Sequence, residues 1–171
     1  MSPFITDNLF TTLYEQYYDK IFNYIFRQVY QRERAEDLTS STFMKALRYL
    51  KNNKREIENF NAWIYRIATN EVLKDHRKRR GKTAVSLDDE MLQLGEMVQD
   101  QRHDLQKTIS AQIDIRQALE QLEAKDALLV ELYFFENKKY SEIAAILQVK
   151  ETTLRSRLHR VLKKLKGYWQ N

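Results

Sequence analysis

The chain has 171 residues, with 29 Lys or Arg against 24 Asp or Glu, and a formal net charge of +5. Its 43% hydrophobic and 12% aromatic content supplies one domain or two small ones, and the basic balance favours a polyanionic partner. Cysteine is absent and His76, His103 and His159 lie far apart, which excludes disulfides, thiol chemistry and a spaced metal-ligand set.

Glycine is confined to Gly81, Gly95 and Gly167, and Pro3 is the single proline. Hairpins need turn residues every few positions, so this scarcity predicts an all-α protein. The N-terminal MSPFITDNLF has no basic region followed by a long apolar run, and no stretch reaches the length of a membrane helix. A cytoplasmic protein is expected.

From Phe10, the apolar spacing Leu13, Tyr14, Tyr17, Ile21, Tyr24, Ile25 predicts an amphipathic helix. A second stripe runs Ala35, Leu38, Thr42, Phe43, Ala46, Leu47, Leu50. The polar KNNKREIEN, residues 51–59, reads as a loop. A third helix presents Phe60, Trp63, Ile64, Ile67, Ala68 and Val72 and should stop near Gly81, with bases crowding its last turn. Residues 82–110 then carry six acids against three bases and support at most a short helix, so they read as an acidic linker. Periodicity resumes at Ile113 and runs through Leu119, Leu122, Leu128, Leu129, Leu132 and Tyr133 into two further helices.

Tyr140 to Leu162 read YSEIAAILQVKETTLRSRLHRVL. Ile143, Ala144 and Leu147 give one face of a short helix, residues 148–150 a tight connection, and Leu154, Leu158 and Val161 the stripe of a second helix. Small Ala144 permits close packing, Val149 fills the corner, and Thr152 or Thr153 suits the second helix's first turn. This is a helix-turn-helix pattern. The solvent face of the second helix should carry Arg155, Ser156, Arg157, His159, Arg160, Lys163 and Lys164. Arginine forks match guanine O6 and N7, while lysine meets phosphate as a point charge. The same pattern also fits a solvated basic face in a helical bundle.

In the third helix, Phe60, Trp63 and Tyr65 accompany Arg66, Lys74, Arg77, Lys78, Arg79, Arg80 and Lys82. Aromatic platforms beside cations suit a single nucleic-acid strand. Spacing alone nevertheless favours Phe60 and Trp63 as core, and a terminal basic run as complement to the helix dipole. Glu36 and Asp37 near a helix start are likewise explained by the dipole.

The runs AEDLTSSTFMKAL, NFNAWIYRIATNEVLKDHRKR and YSEIAAILQVKETTLRSRLHRVLKKL, in this order, resemble the extracytoplasmic-function (ECF) sigma factors. The match spans roughly residues 9–80 and 113–166. The resemblance implies a helical sigma domain 2 over residues 1–81, a linker over 82–110, a helix-turn-helix sigma domain 4 over 111–171, and no catalytic residue, metal or cofactor. It places Glu36, Asp37, Leu38 and Phe43 on the clamp helices of the polymerase largest subunit. It assigns −10 reading and base capture to Asn52, Asn53, Lys54 and Arg55 in the loop and to Arg66, Asn70, Lys74 and Arg77 on the helix. It assigns −35 reading to Thr153, Arg155, Ser156, His159, Arg160 and Lys163. Core RNA polymerase, promoter DNA and an anti-sigma factor are the implied partners. The chain departs from the family at Gln148 and Thr152, where glycine is usual, and at Val161, where alanine is usual. Gln148 should therefore sit in a left-handed backbone or an altered turn.

Two rivals remain at this level. One is a freestanding helix-turn-helix regulator reading a palindrome as a dimer. The other is an RNA-binding adaptor using the aromatic-basic third helix.

Overall fold

The computed structural model describes residues 3–53, 57–79 and 115–169, every regular element of which is helical. Lys54, Arg55 and the whole of 82–110 lie outside the described residues. The chain divides into two compact units, Met1–Gly81 and Lys82–Asn171.

The first unit is a bundle of α1 (Pro3–Val29), α2 (Arg32–Asn52) and α3 (Phe60–Arg79), each packed on the other two. Helix α1 begins seven residues before the expected Phe10. It buries Tyr17, Ile21, Tyr24 and Ile25, which recur at one-turn and two-turn spacing. Opposite them, α2 buries Ala35, Thr39, Thr42, Phe43 and Ala46, and α3 buries Ala62, Ile64, Tyr65, Ala68, Thr69 and Val72. The alanines bring helix axes close, and each buried threonine returns its hydroxyl to its own helix. Thr39 donates to Ala35 O at 2.7 Å, Thr42 to Leu38 O at 2.8 Å and Thr69 to Tyr65 O at 2.7 Å. Since the Thr69 proton is committed there, Tyr24 Oη is the donor in its 2.9 Å bond to Thr69 Oγ1.

The helix ends are set locally. Tyr30 turns the chain with φ 52° while its N–H reaches Phe26 O at 2.8 Å. Asn59 starts α3: its Oδ1 accepts the Ala62 N–H at 3.0 Å, as an N-cap side chain does. His76, Arg77, Lys78 and Arg79 fill the last turn of α3.

The second unit contains α4 (Ile115–Glu120), α5 (Ala124–Val130), α6 (Tyr140–Leu147) and α7 (Glu151–Trp169), with a π-helical turn at Glu131–Phe135 continuing α5. From Ala127 to Phe134 every residue is buried. A segment enclosed on all sides shows no amphipathic period, which is why the turn was not foreseen. Helix α6 opens with the Lys139 N–H donating to Glu142 Oε2 at 2.9 Å. It closes on Gln148, which takes the left-handed conformation at φ 56° and ψ 43°, and the next N–H, of Val149, reaches Ala144 O at 3.1 Å. The glycine-free corner thus keeps the ordinary turn. Helix α7 starts at Glu151, so Thr152 and Thr153 fall inside its first turn. Leu154, Leu158, Val161, Leu162 and Leu165 seal α7 against α5 and α6.

Candidate nucleic-acid interface

Helix α7 turns its apolar stripe inward, which leaves Arg155, His159, Arg160 and Lys163 exposed, with Thr153 and Ser156 half-buried at the edge. Residues 156, 160 and 163 share one helical face, with 155 and 159 beside it. Ser156 Oγ donates to Thr152 O at 3.3 Å. The Arg155 guanidinium is held twice. Its Nη2 lies 2.7 Å from Glu151 Oε1, and its centre sits 5.3 Å from the ring centroid of Tyr140.

Arg157 corrects the sequence expectation. It does not belong to the solvent face, because its side chain is only 16% exposed and its Nε donates to Asp126 Oδ1 at 2.6 Å. Lys164 Nζ lies 3.9 Å from the other oxygen of the same carboxylate. Arg157 ties α7 to α5 and is spent on structure.

On α3, Arg66, Asn70, Lys74 and Arg77 follow one another at helical spacing. Asn70, Lys74 and Arg77 are exposed and Arg66 is half-buried. Arg77 Nε bends back to Leu73 O at 3.3 Å. Asn70 lines an open groove of about 260 Å³ together with Lys45, Tyr49, Trp63, Ile67 and Glu71. Lys45 on α2 is ion-paired with Glu71 on α3, so a charged pair lines the groove. Trp63 stands in the wall with its ring centroid 5.2 Å from Tyr49 and 5.4 Å from Phe60. Trp63 is therefore half-buried rather than core, and Lys45 and Tyr49 were not anticipated at all. Their signal is absent from local spacing because the groove exists only once α2 and α3 pack. At the end of α2, Asn53 spends both its backbone N–H and its Nδ2 on Tyr49 O, at 2.9 and 3.0 Å. Asn52 is exposed beside it.

The acidic part of α2 is more mixed. Asp37 is exposed, Leu38 is half-buried, and Glu36 Oε1 accepts from Arg32 Nε at 2.9 Å. Phe43 is only 3% exposed and lies beneath Phe10, Tyr14 and Tyr18, with centroids 6.4, 4.8 and 6.1 Å away. Its side chain supports the α1 aromatics and offers little surface to a partner. Burial, with Tyr14, Glu36 and Asp19 nearby, pushes the Tyr18 phenol above its ordinary value, so it stays protonated. Exposed Tyr14 and Met44 share this unit's surface.

Among the described residues, no three His, Asp or Glu side chains gather as a metal site, and no helix is long and apolar enough to cross a membrane. The second unit thus carries a helix-turn-helix with a cationic second helix, and the first a bundle with an aromatic groove and a basic helix end, features suited to nucleic acid.

Comparison with known proteins agrees. Residues 13–82 match the model for Sigma-70 region 2 and residues 112–165 that for Sigma-70, region 4. The RNA polymerase sigma factor YlaC of Bacillus subtilis is 31% identical over 156 residues, which cover 90% of this chain and 88% of that protein. The ECF RNA polymerase sigma factor BldN of Streptomyces coelicolor is 28% identical across 91% of this chain but only 58% of its own length. Among solved structures, the sigma factor RpoE of Bartonella quintana, crystallised with the anti-sigma factor NepR, superposes with a TM-score of 0.64. That match covers 94% of this chain and 96% of RpoE at 24% identity, and speaks to the fold. The chain belongs to the sigma-70 family of RNA polymerase sigma factors, in its ECF group.

Proposed function

We propose that this sigma factor docks on core RNA polymerase through residues 1–81, reads the −35 element through residues 111–171 and opens the −10 element with α3, residues 82–110 serving as the linker. The observation that carries this reading is the exposed α7 face, where Arg155, His159, Arg160 and Lys163 project from a helix whose opposite side is sealed by leucines. Such a helix fits the major groove, with arginine forks aimed at base edges and lysine at phosphate.

The α2–α3 groove supports base capture. A base swung out of the duplex needs a ring to stack on and polar groups for its edge. Trp63 and Tyr49 offer the first; Asn70 and the Lys45–Glu71 pair offer the second. Lys74 and Arg77, farther along α3, suit the strand's phosphates, and Lys54 and Arg55 are assigned to the same strand by family resemblance. A protein that binds the open strand better than the duplex favours melting without any catalytic group.

Glu36, Asp37 and Leu38 are proposed for the polymerase clamp helices, with Phe43 acting through the aromatics it supports. The RpoE–NepR pairing favours an anti-sigma partner here too, and a cytoplasmic setting follows from work on polymerase. Family membership displaces the freestanding regulator and the RNA adaptor.

Purified protein added to core polymerase should start transcripts on genomic DNA downstream of a shared pair of spaced elements. Arg160→Ala should cost about 1–3 kcal/mol at one base pair of the −35 element. An equal loss on every sequence would reassign Arg160 to phosphate, and absence of any promoter selectivity would end the reading.

A further inference from the structure

The two contacts of Arg155 are of different kinds and come from different elements. Glu151 stands one turn back on α7 and meets the guanidinium edge at 2.7 Å. The acid precedes the base by four residues, the favourable order on a helix, and Glu151 also sits in the first turn where the dipole welcomes it. Tyr140 comes from the first turn of α6, and its ring lies 5.3 Å from the guanidinium centre. That ring is itself fixed: its centroid is 5.2 Å from that of buried Tyr133. The phenol oxygen of Tyr140 is buried without a hydrogen-bond partner, so the ring face is what this residue supplies. An exposed arginine ordinarily samples many rotamers and loses them on binding. Here one edge and one face are occupied before DNA arrives, and Arg155 remains half-exposed to meet it.

We propose that Tyr140 and Glu151 are positioning residues that pre-orient Arg155, and that they thereby set the base preference at one position of the −35 element. Neither needs to touch DNA for this. The ring of Tyr140 limits the swing of the arginine away from the groove, while Glu151 fixes the rotation of the fork. The fork's remaining N–H groups stay available for a guanine edge. The inference rests on the assignment of α7 to −35 reading.

The test uses the full chain with core polymerase on a promoter pool randomised over the −35 element, counting initiated transcripts by sequence. Arg155→Ala should lower the preference at one base pair by on the order of ten-fold. Tyr140→Leu should lower it at that same base pair by about two- to five-fold, the worth of an exposed cation–π contact. Glu151→Gln should lower it by about two-fold. Tyr140→Phe, which keeps the ring, should retain the preference, and Tyr140→Leu added to Arg155→Ala should change nothing more. If Arg155→Ala alters no position, the −35 assignment of Arg155 fails and the proposal with it. If Arg155→Ala acts at one position but Tyr140→Leu and Glu151→Gln leave that position untouched, or weaken all positions evenly, the assignment stands and the positioning role is overturned. Thermal unfolding of each variant separates lost fold from lost orientation.

Discussion

Gln148 holds φ 56° at the corner of the helix-turn-helix, where a Cβ crowds the following carbonyl. The side chain is exposed, so nothing is gained there that a hydrogen atom would lose. Gln148→Gly should therefore raise the unfolding free energy by about 1 kcal/mol, seen as a higher urea midpoint at unchanged slope. Asn137, with φ 50°, should gain less on the same change, since asparagine tolerates that region. A midpoint that falls for Gln148→Gly would mean that glycine's extra freedom in the unfolded chain outweighs the strain. The strain at residue 148 was legible beforehand, because a non-glycine residue stood where the turn asks for one. The fate of Arg157 was not, because its partner Asp126 lies 31 residues away on another helix.

Between elements of the first unit, the Tyr24 hydroxyl on α1 reaches Thr69 on α3 in a buried bond. Tyr24 is fully buried and Thr69 is 2% exposed, so water does not replace a lost bond. Tyr24→Phe removes the donor, while Thr69 still donates to Tyr65 O. A cost of about 1 kcal/mol is expected in chemical unfolding, with the α2–α3 groove kept intact. A loss several times larger would point to a rearranged α1–α3 contact. Periodicity made α1, α2, α3, α6 and α7 readable, since each is polar on one side. It failed for the π-helical turn, where the run ALLVELYF is enclosed, while Phe43 lay in the stripe that periodicity marked and only the resemblance turned it toward a partner. The groove was half legible: Asn70 stood out by resemblance, while Lys45, Tyr49 and Glu71 matter only because two helices meet.

Across the whole chain the charge is uneven. Residues 82–110 carry six acids against three bases within a total of +5, so the remainder holds a net +8. On the proposed linker role, an anionic segment tethered to two basic units would compete, at high effective concentration, with DNA phosphate for their lysines and arginines. It should suppress binding to arbitrary DNA more than binding to a promoter, where base contacts add to phosphate contacts. On the proposed function, the same segment would stand in for nucleic acid inside the polymerase until RNA displaces it. Replacing Asp88, Asp89, Glu90 and Glu96 by Asn or Gln takes the chain from +5 to +9. The variant should bind non-specific duplex more tightly, lose promoter selectivity and alter the ratio of abortive to full-length transcripts. The difference in duplex binding should fade toward 1 M salt, where charges are screened beyond about 3 Å. Unchanged initiation, unchanged escape and unchanged non-specific binding at low salt would show that the acids only keep the segment solvated.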